Sequence, residues 1–217
     1  MSEPTSEPHL RDRLAHWDGR HRGYEDLASS GRTGLDRPGD EIFHALRFAG
    51  VLRITGDSER ANDPLLVLDA GCGRGRLARA LARCGHLVDA IDAGPSAVEH
   101  CRALGGGPRY AVAELSAWRS PWLYDVVLAV DVLFHVLDDA AWRAALVNLG
   151  SLVRLTGRLV VTDEDAPGRV ARGDYILHRP AAEYRAAVEP LGLRYGGFTP
   201  YGFRENRVGF HVFTRTS

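Results

Sequence analysis

Leu65-Leu66-Val67-Leu68-Asp69-Ala70-Gly71-Cys72-Gly73-Arg74-Gly75-Arg76 is an apolar run that ends on an acid and passes into three alternating glycines. The helical pattern Arg76-Leu77-Ala78-Arg79-Ala80-Leu81-Ala82-Arg83-Cys84 follows at once. A short strand apolar on both faces, a tight glycine turn and a helix make the first βα unit of a covered parallel sheet. The same alternation repeats downstream: Leu87–Asp92 then Ser96–Leu104, Arg109–Glu114, Tyr124–Val130 then a helix near 140–152, and Arg158–Asp163 then a helix near 181–191. The segment 193–215 breaks the pattern with two aromatic-rich strands and no helix between them, so the second is expected to run antiparallel. The fold class is therefore α/β: a doubly wound, seven-stranded, mostly parallel sheet with an antiparallel last strand.

Upstream of the sheet, Met1–Pro8 is polar and proline-containing and reads as a disordered tail. Leu10–Trp17 has room for a short helix, and 18–39 reads as an ordered loop or cap rich in Gly, Arg and Asp. A helix is expected from Asp40 to Arg53, with Ile42, Leu46, Ala49 and Leu52 at helical spacing. The expected division is thus 1–60 as tail and N-terminal helical cap, and 61–217 as the main domain. Composition agrees with one globular unit of 217 residues, 45% hydrophobic and 25% charged. The 27 basic residues, all arginine, face 28 acidic ones. That balance argues against a dedicated nucleic-acid binder, and the missing lysine reads as the coding bias of GC-rich bacterial DNA. Three cysteines without metal-type spacing suit a reduced intracellular setting. No signal peptide or membrane span is expected, which places the protein in the cytoplasm as a monomer or homodimer, with no membrane partner.

A glycine loop after the first strand of such a sheet lies where ligands bind. The bland reading is a tight turn, but three alternating glycines after an acid exceed what a turn needs. Two ligand classes compete. A dinucleotide fingerprint wants G-x-G-x-x-G, whereas here the third glycine arrives one residue early and the last position is Arg76. Asp69 would also repel a pyrophosphate, while it attracts a sulfonium or an ammonium group. S-adenosylmethionine (SAM) carries both.

With an acidic residue followed by x-G-x-G-x-G, the chain resembles the class I SAM-dependent methyltransferases, notably those acting on small molecules and natural products. The resemblance spans about Leu65 to Phe213. It implies that Asp69, Gly71, Cys72 and Gly73 line the cofactor. It also implies that Asp92, with Ala93 beside it, takes the ribose hydroxyls, though an acid there would equally suit NAD. Glu114 and Leu115 would meet the adenine, many members having Asp where this chain has Glu. Val130, closing the fourth strand, completes the cofactor contacts. S-adenosylhomocysteine would be the product. Each of these acids alone could be a solvated strand end or helix cap.

Methyl transfer needs the acceptor in line with an activated carbon, and sometimes a base. His135 stands four residues after Asp131 and has a pKa range suited to proton removal. It serves equally well as a packing residue of the following turn. His178 is the second candidate base, with a helix-entry role as its alternative. Asp131, Tyr24 and Arg179 are taken as acceptor contacts. Trp17, His21, Tyr24 and Arg32 form an N-terminal cover, unless the aromatic residues are core anchors. The loop 164–179, with Arg169 and Arg172, is a plausible second lid. Asp131 with Asp163, Glu164 and Asp165 gives the oxygen ligands magnesium prefers, yet acids routinely end strands, so no metal is expected. The leading expectation is O- or N-methylation of a small molecule in a bacterial specialised-metabolite pathway. A protein or RNA acceptor is the alternative, disfavoured because Asp131-Val132-Leu133-Phe134 replaces the asparagine-proline-proline-tyrosine type motif. A SAM-binding protein without transfer and a dehydrogenase are further alternatives.

Overall fold

The computed structural model describes residues 36–56 and 63–217. The chain begins with α1 (Arg37–Gly56), capped by Asp36, whose Oδ1 accepts from Gly39 N at 3.1 Å. It continues through β1 (Leu66–Ala70), α2 (Arg76–Arg83), β2 (Leu87–Asp92), α3 (Pro95–Leu104), β3 (Arg109–Val112) and β4 (Tyr124–Ala129). A 3₁₀ turn at Leu133–His135 leads to α4 (Asp139–Ser151), then β5 (Val153–Glu164), β6 (Val170–Arg172) and β7 (Ile176–His178). After α5 (Ala181–Val188) come a 3₁₀ turn at Glu189–Leu191, β8 (Leu193–Pro200) and β9 (Val208–Arg215).

The main sheet has seven strands in the order β3-β2-β1-β4-β5-β9-β8. Strands β1 to β5 pair in parallel, and β9 pairs antiparallel with both β5 and β8. The antiparallel last strand is as expected, and it lies inside the sheet, between β5 and β8. Strand order reverses between β1 and β4, which opens the crevice where an open α/β sheet takes its ligand.

Alternation within the strands divides the core in two. Val67, Val126, Leu128, Val160 and Phe210 pack with Phe43 and Val51 of α1 and with Ala78 and Leu81 of α2. Leu68, Val127, Ala129, Val161 and Phe213 face Trp142 and Leu146 of α4 and Tyr184 and Val188 of α5. Because strands buried on both faces can be apolar at every position, the runs read correctly from sequence.

Three details differ from expectation. β5 begins at Val153, five residues early, and its pairing with β4 shifts register between Tyr124 and Val126. The cause is the kink at Thr156 (φ +64°) and Gly157, where a Cβ would press on the carbonyls of Tyr124 and Asp125. The helix near 181–191 stops at Val188, and Pro190 sits in the 3₁₀ turn that follows. The 164–179 segment is an antiparallel hairpin, β6–β7, where an irregular loop was expected. The expectations for the tail, the 10–17 helix and the cover residues Trp17, His21, Tyr24 and Arg32 lie outside the described residues.

Candidate active site

The parallel register brings the carboxyl ends of β1, β2, β4 and β5 to one edge: Ala70 opposes Ile91, Asp69 opposes Leu128, and Ala129 opposes Val161. The glycine loop leaves β1 here. Gly71, Gly73 and Gly75 all have left-handed backbone, at φ of +81°, +52° and +70°. A Cβ on Gly71 would lie 2.6 Å from the side chain of Val132, so glycine is required there both by backbone and by space. The loop is fastened to the end of β2: Gly71 N and Cys72 N donate to Ile91 O at 2.8 and 2.9 Å. Asp92 completes the fastening, accepting from Gly73 N through Oδ2 and from Gly94 N through Oδ1, each at 2.8 Å. An ionised carboxylate has about four acceptor positions, so Asp92 retains capacity for hydroxyl donors.

Under the loop, Asp69 is 2% exposed and its Oδ2 has no hydrogen-bond partner. Burial pushes its carboxyl up to about 7, Arg47 opposing and Asp92 reinforcing the rise. A buried carboxylate with an unsatisfied oxygen is a costly arrangement unless something positive completes it. Cys72 is buried beside it, and Val130 belongs to the core on the same face. Ala93 is half-buried at the end of β2, Glu114 is exposed after β3, and Leu115 packs against the core. Of the sequence-selected cofactor residues, Asp69, Gly71, Cys72, Gly73 and Asp92 lie together where the glycine loop meets the ends of β1 and β2.

Asp131 follows β4 in a left-handed conformation, φ +54°, uncommon for a residue with a side chain. Its partners hold it there. Asp131 N donates to Thr162 Oγ1 at 2.7 Å, Tyr201 Oη donates to Oδ1 at 2.6 Å, and Arg47 Nε lies 3.1 Å from Oδ2. Arg47 thereby pins α1 across the β1–β4 crevice. Neither Arg47 nor Tyr201 was selected from sequence: Arg47 looks like an ordinary helix arginine, and Tyr201 sits in a turn between two strands.

The 3₁₀ turn presents His135, whose Nδ1 is 3.0 Å from Tyr175 O in the hairpin turn. A carbonyl only accepts, so Nδ1 carries the hydrogen and a neutral ring keeps its lone pair on Nε2. His178 is buried. Its Nδ1 donates to Asp163 Oδ1 at 2.6 Å, and its Nε2 lies 3.5 Å from Glu164 Oε1. Proton removal from an acceptor would require these contacts to open; as placed, His178 braces the hairpin against β5. Arg179 is fully buried and donates to Val136 O, Leu137 O and Asp139 Oδ1 at 3.0, 3.1 and 2.9 Å. These bonds consume its guanidinium in holding the turn after β4, so the structure gives it a structural place and not an acceptor contact. Arg169 and Arg172 likewise face Glu183, Asp139 and Glu164 within the chain. Among the described residues, no three His, Cys, Asp or Glu side chains are grouped as metal ligands.

A family model described as a methyltransferase domain matches residues 67–157. Residues 67–157 thus carry a methyltransferase domain. The matched residues run from β1 to the kink of β5 and include the glycine loop, Asp92 and Asp131. Ubiquinone biosynthesis O-methyltransferase of Methylocella silvestris is 40% identical over 145 residues, 62% of this chain and 56% of that protein. The chain spans about half the length, or less, of the curated relatives it matches. The methyltransferase fold is shared with magnesium protoporphyrin IX methyltransferase from Synechocystis PCC 6803, solved with bound SAM. The TM-score is 0.76 at 19% identity, over 99% of this chain and 100% of that one. It is shared also with 1,6-didemethyltoxoflavin-N1-methyltransferase of Burkholderia thailandensis, at a TM-score of 0.65, 21% identity and coverage of 100% and 94%. No described helix of the domain is long and apolar enough to cross a membrane.

Proposed function

We propose that the protein transfers the methyl group of SAM to a hydroxyl oxygen of a small molecule. The observation that carries this reading is the buried, unpartnered Oδ2 of Asp69 beneath three left-handed glycines at the point of strand reversal. That oxygen asks for a cation with hydrogen-bond donors, which the α-ammonium of SAM provides. The ribose hydroxyls then reach Asp92, and adenine lies toward Glu114 and Leu115.

Displacement at a sulfonium-activated carbon leaves the protein to position the acceptor, exclude water and take a proton. His135 is the base in this reading, since its Nδ1–H is held by the Tyr175 carbonyl and its Nε2 carries the lone pair. In this reading the acceptor lies between the β6–β7 hairpin, which holds His135 through Tyr175 O, and α1, which holds Asp131 through Arg47. The same reading makes 61–217 the catalytic unit, and α1, from the 1–60 segment, packs on it through Phe43 and Val51. The O-methyltransferase names of the relatives support oxygen as the acceptor atom. Those names point to ubiquinone biosynthesis and lend nothing to the expected specialised-metabolite pathway.

Calorimetric titration with S-adenosylhomocysteine tests the cofactor reading, and saturable binding is expected. Methyl-labelled SAM offered with a panel of phenols and amines tests the transfer: label should move to phenol oxygen in step with product formation. Absence of binding at millimolar ligand would sink the proposal. Binding without any transfer would reduce it to a SAM-binding protein.

A further inference from the structure

The glycine loop has a second chemistry beneath it. Cys72 comes from the loop itself and Cys101 from α3, 29 positions later, and both are buried free thiols. Their sulfurs meet at one atom: Cys72 Sγ donates to Gly73 O at 3.6 Å and Cys101 Sγ at 3.4 Å. Sharing that one acceptor makes the two thiols immediate neighbours. Cys101 sits so close under the loop that a Cβ on Gly75 would lie 2.7 Å from its sulfur. The peptide of Gly73 is thus gripped on both sides, its N–H by Asp92 and its carbonyl by the two thiols.

We propose that Cys72 and Cys101 form an oxidisable dithiol site whose closure to a disulfide by a hydroperoxide loosens the cofactor loop. Arg79 Nη1 and Cys101 Sγ both border the Cβ position of Gly75. The neighbouring Cys72 thiol and the Arg79 guanidinium lower the Cys101 thiol from its ordinary value against burial. A cation beside it makes Cys101 the attacking sulfur in the proposal and Cys72 the resolving one. The Cys101 thiolate attacks one peroxide oxygen, the O–O bond breaks, and the departing hydroxide takes a proton to become water. Cys101 is then a sulfenic acid. Cys72 sulfur attacks it, the S–O bond breaks, and the hydroxyl leaves as a second water with the Cys72 proton. Two electrons pass from the thiols to the peroxide. The new bond draws the sulfurs to about 2.05 Å and removes both S–H donors from Gly73 O at once. A buried carbonyl without a partner and a loop tied to α3 no longer fit the geometry that Asp92 enforces.

The chemical step stands without the cofactor reading; its effect on binding rests on it. The experiment uses the full chain with Cys84→Ser, which removes the exposed third thiol. Protein is treated with hydrogen peroxide, digested without reductant and examined by tandem mass spectrometry, with S-adenosylhomocysteine titrated before and after. The expected result is a cross-link joining the Cys72 and Cys101 peptides, at least fivefold weaker binding, and recovery with dithiothreitol. Cys101→Ser retains a hydroxyl donor and should show neither cross-link nor loss. Failure to form the cross-link, or a cross-link that leaves affinity unchanged, overturns the proposal. Reduced protein that binds no S-adenosylhomocysteine overturns the methyltransferase reading instead, and the cross-link is still read independently.

Discussion

Asp69 shows how one side chain can set both affinity and stability. Its carboxyl titrates near 7 because burial disfavours the charge. Cofactor cations need the ionised form, so affinity for S-adenosylhomocysteine should fall about tenfold between pH 8 and pH 6. Isothermal titration at the two values checks this, and Asp69→Asn should bind more weakly with little pH dependence. The sign for folding is opposite. The native chain holds a proton that the unfolded chain releases, so Asp69 erodes stability as pH rises from about 4 to about 7, by on the order of 4 kcal/mol. Asp69→Asn should flatten the decline of Tm across that window. Arg47 opposes the rise, so Arg47→Ala should move the midpoint of the binding profile upward. His135→Ala should lower kcat by about 10²–10⁴-fold with the cofactor affinity nearly unchanged, as loss of a base does. The acids Asp69 and Asp92 were legible in the sequence, because strand, acid and glycine spacing are local. Arg47 and Tyr201 were not, since their value comes from meeting Asp131 across 84 and 70 positions.

At the scale of the element, the β6–β7 hairpin is the piece that the proposed reaction sets beside the acceptor, since it holds His135 through Tyr175 O. Its ties to the body are polar. Arg172 binds Glu164, His178 binds Asp163, and Arg169 reaches both Asp139 and Glu183. Asp163 is the anchor of that set, fully buried and accepting also from Arg179 N and Tyr184 Oη. Replacing it with Asn leaves several donors without their charge, and a loss of about 3–5 kcal/mol is expected by denaturant titration. Arg169→Ala, with an exposed side chain, should cost under about 1 kcal/mol in the same assay. The hairpin escaped the sequence because each of its strands has only three residues, too few for a period to declare itself. The helices and long strands were legible for the opposite reason: α4 offers thirteen residues with one apolar stripe. The early start of β5 was hidden by Thr156 and Gly157, which look like a turn and act as a bulge.

For the whole molecule, the sheet order follows from the alternation of strands and helices, together with the right-handed crossovers that parallel strands impose. What alternation cannot give is the seat of the final strand, since a hairpin pairs equally well with its second strand outermost. The structure places β9 against β5, with Leu159 opposite Phe213 and Val161 opposite His211. The reason is packing: Phe210 and Phe213 each reach one of the two cores from that central seat. A chain cut after Asn206 should leave the long edge of β5 unpaired and collect in the insoluble fraction, as open edges do. Light scattering of refolded material is the check.

That seat also bears on synthesis. β1 to β5 leave the ribosome well before Val208–Arg215, the strand that closes their flank. Until β9 follows, the nascent sheet must wait with that side of β5 open, so the making of β9 completes the sheet.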